Sequence, residues 1–219
     1  MTINPGVSEI YNLWGVKIAP NMITVILFDF RGYDTLGECV ILVAGVLALT
    51  MLYGRGSLTE TAEDHVEPSI KTTTLLAASS KLILPLVVAL GVYVTLGGHI
   101  TPGGGFQGGS IIAAGFFMVV VLYGVKAVGF THENLVKMES FGILIYILLG
   151  LVGLYFSGYF LYNTGTDLHG LVAEDIELAF NYPDGLSAGI IPYLNIAVLI
   201  KVSAGLTTAL LVILEGGKK

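Results

Sequence analysis

Charge is scarce in this sequence. Only 12% of its 219 residues are Asp, Glu, Lys or Arg, about half of the roughly 25% carried by soluble domains. The hydrophobic share is 54% and the mean hydropathy +0.83, so the chain reads as an integral membrane protein. Positive charge is scarcer still: 10 Lys and Arg face 16 acids, a net charge of −6, which argues against nucleic acid as a partner. Cys39 is the single cysteine and lies in an apolar run. A disulfide framework, a Cys-rich metal centre and an iron–sulfur site are thereby excluded within the chain, and any redox cofactor must belong to a partner. The first residues, Met1-Thr2-Ile3-Asn4-Pro5-Gly6, offer neither a basic n-region nor an early apolar core, so no cleavable signal is expected. Catalytic triads, zinc motifs, phosphate loops and dinucleotide fingerprints are missing as well. With no such constellation and no internal repeat, no catalytic site, cofactor or metal of the chain's own is expected.

Long apolar runs are abundant. Five of them, residues 36–53, 74–96, 110–130, 140–162 and 190–214, approach the roughly 20 residues that a membrane helix needs. The predicted fold is therefore all-α, a multi-pass protein of the cell membrane in contact with lipid. Ahead of the first run, residues 1–20 are broken by Pro5, Gly6 and Pro20, and residues 22–30 are apolar but too short to cross alone. That segment either lies in the interface, as Tyr11 and Trp14 favour, or completes a sixth, kinked span begun near Ile10. Arg55, Lys71, Lys126, Lys137, Lys218 and Lys219 fall on one side of this array, and no Lys or Arg occurs between residues 163 and 189. The positive-inside rule then places residues 54–73, residues 131–139 and the C-terminus in the cytoplasm. Residues 54–70 are polar and acidic and read as a linker between two modules.

Glycine is concentrated between the second and third runs. Gly97-Gly98-His99-Ile100-Thr101-Pro102-Gly103-Gly104-Gly105-Phe106-Gln107-Gly108-Gly109 holds seven glycines and a proline in thirteen residues. Each Gly costs a helix about 1 kcal/mol and Pro about 3, so the stretch reads as a tight, non-helical connection. Its small residues, Gly103, Gly104, Gly105, Gly108 and Gly109 among them, allow other backbones to approach. An ordinary turn, close packing and a place on an ion path are all compatible with it.

The charged residues inside or beside the apolar runs are the candidates for chemistry. Asp29, Arg31, Asp34 and Glu38 fall within ten residues. With Asp34 or Thr35 as a cap, Glu38 lies in the first turn of the following helix, where the dipole favours its ionised form. The alternatives are a capped interfacial turn with an Asp–Arg pair, and a carboxylate at the edge of an ion path. Lys201 sits mid-span, where a charge costs at least about 2.5–3.5 kcal/mol and faces water or a partner; a proton carrier or an assembly contact would account for it. Lys81 is nearer a helix end and can snorkel. His99 is a group that titrates near neutrality at the membrane edge, or simply a hydrogen-bonding residue of the turn. Lys126, Lys137 and Glu139 are most simply interfacial, and the mate of each buried charge is expected in other chains.

Two stretches resemble a known family. Gly98-His99-Ile100-Thr101-Pro102-Gly103-Gly104-Gly105-Phe106-Gln107-Gly108-Gly109 resembles the signature of the B subunit (MnhB) of Mrp-type multisubunit sodium/proton antiporters, whose span count residues 71–219 match. Asn21-Met22-Ile23-Thr24-Val25-Ile26-Leu27-Phe28-Asp29-Phe30-Arg31-Gly32-Tyr33-Asp34-Thr35-Leu36-Gly37-Glu38 resembles a stretch near the C-terminus of the large A subunit. Comparable pieces are separate subunits in the related archaeal membrane-bound hydrogenases and sulfur reductases. The resemblance implies an A-like segment over 1–53, the linker 54–70 and an MnhB-like four-helix domain over 71–219. It further implies work on sodium ions and protons with other Mrp-type subunits, or with hydrogenase-like or sulfur-reductase-like redox subunits. It carries the A-type intramembrane acid onto Glu38, with Asp29, Arg31 and Asp34 around it. A purely structural assembly subunit is the alternative.

Overall fold

The computed structural model describes residues 6–53, 73–124, 131–163 and 188–216. The linker 54–70, Lys126, most of the acidic stretch 163–189, Lys218 and Lys219 lie outside the described residues. Among those described, every regular element is helical. Helix α1 spans Val7–Ile18 and α2 spans Met22–Val25, widening into a π turn over Ile26–Phe30. Then follow α3 (Gly32–Tyr53), α4 (Thr74–Leu96), α5 (Gly105–Tyr123), α6 (His132–Ser157) and α7 (Ile191–Gly216). Helices α3 to α7 are long and apolar enough to cross a membrane, which makes this a multi-pass membrane protein.

Among the described residues, the N-terminal segment contributes no sixth span. The backbone of Ala19 is extended (φ −159°, ψ 155°), and Pro20 follows it. That extended geometry is what a residue before proline prefers. The 12 residues of α1 extend only about 18 Å, short of the roughly 30 Å hydrocarbon core. At the corner, Asn21 caps α2, its side chain accepting from Ile23 N–H at 3.2 Å.

Helix α7 is the hub, packed against α3, α4, α5 and α6. It is the most enclosed of the five, and α4 the least. Its small residues Ala197, Ala204 and Gly205 let neighbours come close, as is usual where helices associate without a hydrophobic drive. Residues 6–53 share the same core: Phe28 and Cys39 pack with Tyr146, Leu194 and Val198, and Tyr146 Oη donates to the Gly32 carbonyl at 2.9 Å.

Several boundaries differ from the sequence reading. The non-helical connection is shorter than thirteen residues, because Gly105, Gly108 and Gly109 belong to the first turns of α5. Packing outweighs propensity there. A Cβ added at Gly109 would lie 2.8 Å from Val202 Cβ, one at Gly105 2.7 Å from Val198 Cβ, and Gly108 faces Gly91 and Thr95. Gly104 before them has φ 153°, a conformation that glycine adopts without strain. Helix α3 starts at Gly32 rather than residue 36, so Glu38 lies in its second turn. Thr35 does not cap it; its hydroxyl donates to the Leu27 carbonyl at 2.7 Å. Helix α6 begins at His132, eight residues before its apolar run, because Thr131 caps it by accepting from Asn134 N–H at 3.3 Å. It stops at Gly158, which takes the left-handed conformation with φ 78°.

Candidate functional site

Helix α7 carries Lys201 into the centre of the bundle, where its exposure is 0%. Across from it on α6 stands Glu139, 5% exposed, with Lys201 Nζ 3.6 Å from Glu139 Oε1. Two glycines make the room. A Cβ at Gly142 would lie 2.7 Å from Lys201 N, and one at Gly205 2.7 Å from Glu139 Oε1. Each partner thus lies over a glycine on the opposite helix. This corrects two expectations. Glu139 is not interfacial, and the mate of Lys201 is in the same chain. A signal for both was present: a small residue stands one turn after each charge, Gly142 after Glu139 and Gly205 after Lys201.

A second centre lies where residues 22–38 meet the glycine connection. A cavity of about 230 Å³ is lined by Ile23, Thr24, Leu27, Phe28, Thr35 and Glu38 on one side. Gly103, Gly104, Gly105, Phe106, Gln107 and Asn195 line the other. The glycine connection is pinned to the N-terminal segment above it. Asn21 Nδ2 donates to the carbonyls of Gly98 at 2.7 Å and Thr101 at 3.0 Å, and Thr24 Oγ1 donates to Gly98 O at 2.6 Å. Below it, Asn195 Oδ1 accepts from Gly105 N–H at 2.9 Å, capping α5 from another helix. Asn195 carried no motif in the sequence and its place was not anticipated. Glu38 itself stands exposed on α3.

The two centres are neighbours. Cys39 lies where the charges of Lys201, Glu38 and Glu139 all reach it. Tyr146 is close to Cys39, Thr35 and Glu38. Glu38 and Cys39 are adjacent on α3, and Cys39 shares the core that holds Tyr146 on α6 and Val198 and Val202 on α7.

The remaining sequence candidates are dispersed. Arg31 Nε and Asp34 Oδ2 form an exposed ion pair at 2.5 Å. Asp29 sits on the π turn, half-buried, and burial pushes its carboxyl up to about 6. Tyr162 is nearby, its hydroxyl raised by burial and then by the Asp29 charge. His99 is enclosed in the turn, where its carbonyl accepts from Asn21 N–H at 3.0 Å. Burial lowers its imidazole below the ordinary value, against a hydrogen bond to Leu96 that raises it. Lys81 is exposed on α4 and is not brought to either centre. Of the five glycines singled out, Gly103, Gly104 and Gly105 line the cavity, and Gly108 and Gly109 seat α5 against α4 and α7. Among the described residues, no three His, Cys, Asp or Glu side chains converge as a metal site would require.

Comparison with known proteins places this geometry. The family model for the domain related to the MnhB subunit of Na+/H+ antiporter matches residues 75–208. An uncharacterized protein of Methanocaldococcus jannaschii is 40% identical over 223 aligned residues, covering 95% of this chain and 82% of that protein. A chain of the membrane-bound sulfane sulfur reductase, an archaeal respiratory membrane complex, superposes with a TM-score of 0.76 at 26% identity, covering 98% of this chain and 87% of its own length. A chain of the Mrp complex from Dietzia sp. shares the fold with a TM-score of 0.68 at 21% identity; all of this chain is covered, but only 23% of that one.

Proposed function

This chain belongs to the family of domains related to the MnhB subunit of Na+/H+ antiporters, and from that premise we propose that it is a membrane subunit of a multisubunit complex that exchanges sodium for protons. Glu38 is the carrier at the subunit face, with Asp34 one turn before it on α3 and paired to Arg31, while Asp29 stands apart on the π turn. The Lys201–Glu139 pair behind it sets the charge that Glu38 meets, and His99 steadies the turn beside the cavity. The observation that carries this reading is the enclosed ion pair. Burying two charges costs several kcal/mol each before their attraction is counted, and a pair of hydrophobic residues would fill the same space without that cost.

The partners follow the relatives. The chain spans nearly the full length of a sulfur reductase subunit and under a quarter of the Mrp chain. The higher identity and TM-score against the sulfur reductase chain favour redox subunits as partners over a stand-alone antiporter. Within the chain, the MnhB match starts at residue 75, in keeping with an A-like segment over 1–53 and a second module over 71–219.

Glu38→Gln in the intact complex tests the exchange role. Sodium-dependent proton movement in reconstituted vesicles is expected to be abolished with assembly retained; normal exchange overturns the assignment in favour of a structural subunit. Mass spectrometry of the gently solubilised complex tests the partners. Iron–sulfur and reductase-like or hydrogenase-like proteins are expected, and antiporter subunits alone would return the reading to a secondary exchanger.

A further inference from the structure

The cavity beside Glu38 contains a hydrogen-bonding group that ion exchange at Glu38 alone does not use. Asn195 lines it and is fully enclosed, at 0% exposure. Its Oδ1 is occupied by the Gly105 amide, while Nδ2 has no acceptor among the described residues. A buried N–H left in that state is costly. The N-terminus of α5, a helix of 19 residues, ends at the same wall and adds its positive dipole end. Amide donors and a helix N-terminus repel a bare sodium or hydronium ion and attract negative charge. The cavity therefore suits an anion, and among the described residues Glu38 is the one acid that lines it. Taken as a sphere, 230 Å³ is roughly 8 Å across, so a Glu38 side chain turned inward meets Asn195 directly or through one water.

We infer that Asn195 and the N-terminus of α5 form a seat for the ionised Glu38 carboxylate, which makes Asn195 the positioning residue of the carrier. The inference rests on the exchange role of Glu38. Turned outward, Glu38 stands on the exposed face of α3, where it takes up a proton or sodium. Once it has given the ion up, the carboxylate turns into the cavity and accepts from Asn195 Nδ2. The other titratable or charged groups nearby are Cys39 on α3, Tyr146 and Glu139 on α6, Lys201 on α7, Asp29 on the π turn and His99 in the glycine connection. None of them lines the cavity.

The test uses the whole complex carrying Asn195→Ala or Asn195→Leu. The carboxyl band of Glu38 is followed by infrared difference spectroscopy, assigned against Glu38→Gln, and exchange is followed in vesicles as a function of pH. Loss of the donor makes the ionised carboxylate harder to form. The midpoint at which the band disappears should rise by about one pH unit or more, with exchange at neutral pH reduced about tenfold and recovered in alkali. The sodium KM on the alkaline plateau should stay within about twofold. An unmoved midpoint in both variants, or a loss equal at every pH, overturns the seat. If Asn195→Leu does not assemble, Asn195→Ala decides alone, since Asn195→Asp adds a negative charge that raises the midpoint by repulsion with or without the seat. Loss of exchange in Glu38→Gln with an unmoved midpoint refutes the seat and spares the exchange role. A normal Glu38→Gln with a shifted midpoint does the reverse.

Discussion

Gly205 lies one helical turn beyond Lys201 on α7 and directly beneath the carboxylate of Glu139 on α6. A Cβ at Gly205 would stand 2.7 Å from Glu139 Oε1, so the glycine is the floor on which the acid rests while it faces the lysine. Gly142 serves Lys201 in the same way, except that its added Cβ would meet the α7 backbone at Lys201 N and Ala197 O, at 2.7 and 2.8 Å. A carboxylate can turn aside and a helix backbone cannot. Gly142→Ala should therefore destabilise the protein by about 1–3 kcal/mol through forced separation of α6 and α7, and Gly205→Ala by less. Thermal unfolding of the detergent-solubilised complex ranks the two, and an equal effect would show that the helices yield as readily as the side chain.

The ion pair makes its own prediction. Removing one partner leaves the other charged and enclosed, at a cost of about 3–5 kcal/mol, whereas replacing both by apolar residues of similar volume is close to neutral. Lys201→Met alone and Glu139→Leu alone should each lower the unfolding temperature sharply, and the double variant should restore most of it. The double variant should still lack exchange if the pair sets the charge that Glu38 meets. Restored stability together with normal exchange would leave the pair a purely structural feature.

These two helices also show how far the sequence could be read. Lys201 stood out because a lysine amid apolar residues has one explanation at bilayer depth, that something faces it. Glu139 did not, because an acid just ahead of an apolar run is ordinary at an interface. Its burial follows from the N-terminal extension of α6 to His132, which rests on the Thr131 cap and not on hydropathy. Span count and class were legible because hydrophobic length is a strong constraint. The start of α5 was misjudged for a related reason: glycine propensities measured in water understate what close helix contact supplies inside a bundle. Glu38, Gly103 and Gly104 were recognisable one by one. That they share a cavity with Asn195 depends on how α7 crosses the connection, which no local pattern encodes.

Asp29 gives a pH dependence. Its carboxyl titrates near 6 in the fold because of burial, against 3.8 for the free side chain. A raised carboxylate favours the folded state most fully below the lower value, and that contribution is lost as the pH rises through the upper one. Stability carried by this group should accordingly fall between about pH 4 and 6. Asp29→Asn cannot ionise and should flatten that part of the profile, leaving the variant more stable than the parent at pH 7. Unfolding temperatures taken at intervals across that window check it, and parallel curves for the two proteins would mean that Asp29 keeps its ordinary affinity for protons.

The joint between the two halves of the chain can be tested without touching any charge. Asn21 reaches across 77 residues to the Gly98 carbonyl, Thr24 shares that carbonyl, and Tyr146 reaches back to Gly32. Phe28 and Cys39 lie in one core with α6 and α7. Contacts of this number, in a bundle where each unpaired backbone group costs about 1–3 kcal/mol, should hold the halves together once formed. A protease site placed within residues 54–70 and cleaved in the membrane should leave residues 1–53 bound to the remainder through purification. Adding Asn21→Ala removes the donor to Gly98 and Thr101, and frees Thr24 of its neighbour. It should reduce retention of the fragment without abolishing it, since α7 and Tyr146 still hold α3. Release of the fragment by cleavage alone would mean that chain continuity through residues 54–70, and not this interface, keeps residues 1–53 in register with the rest.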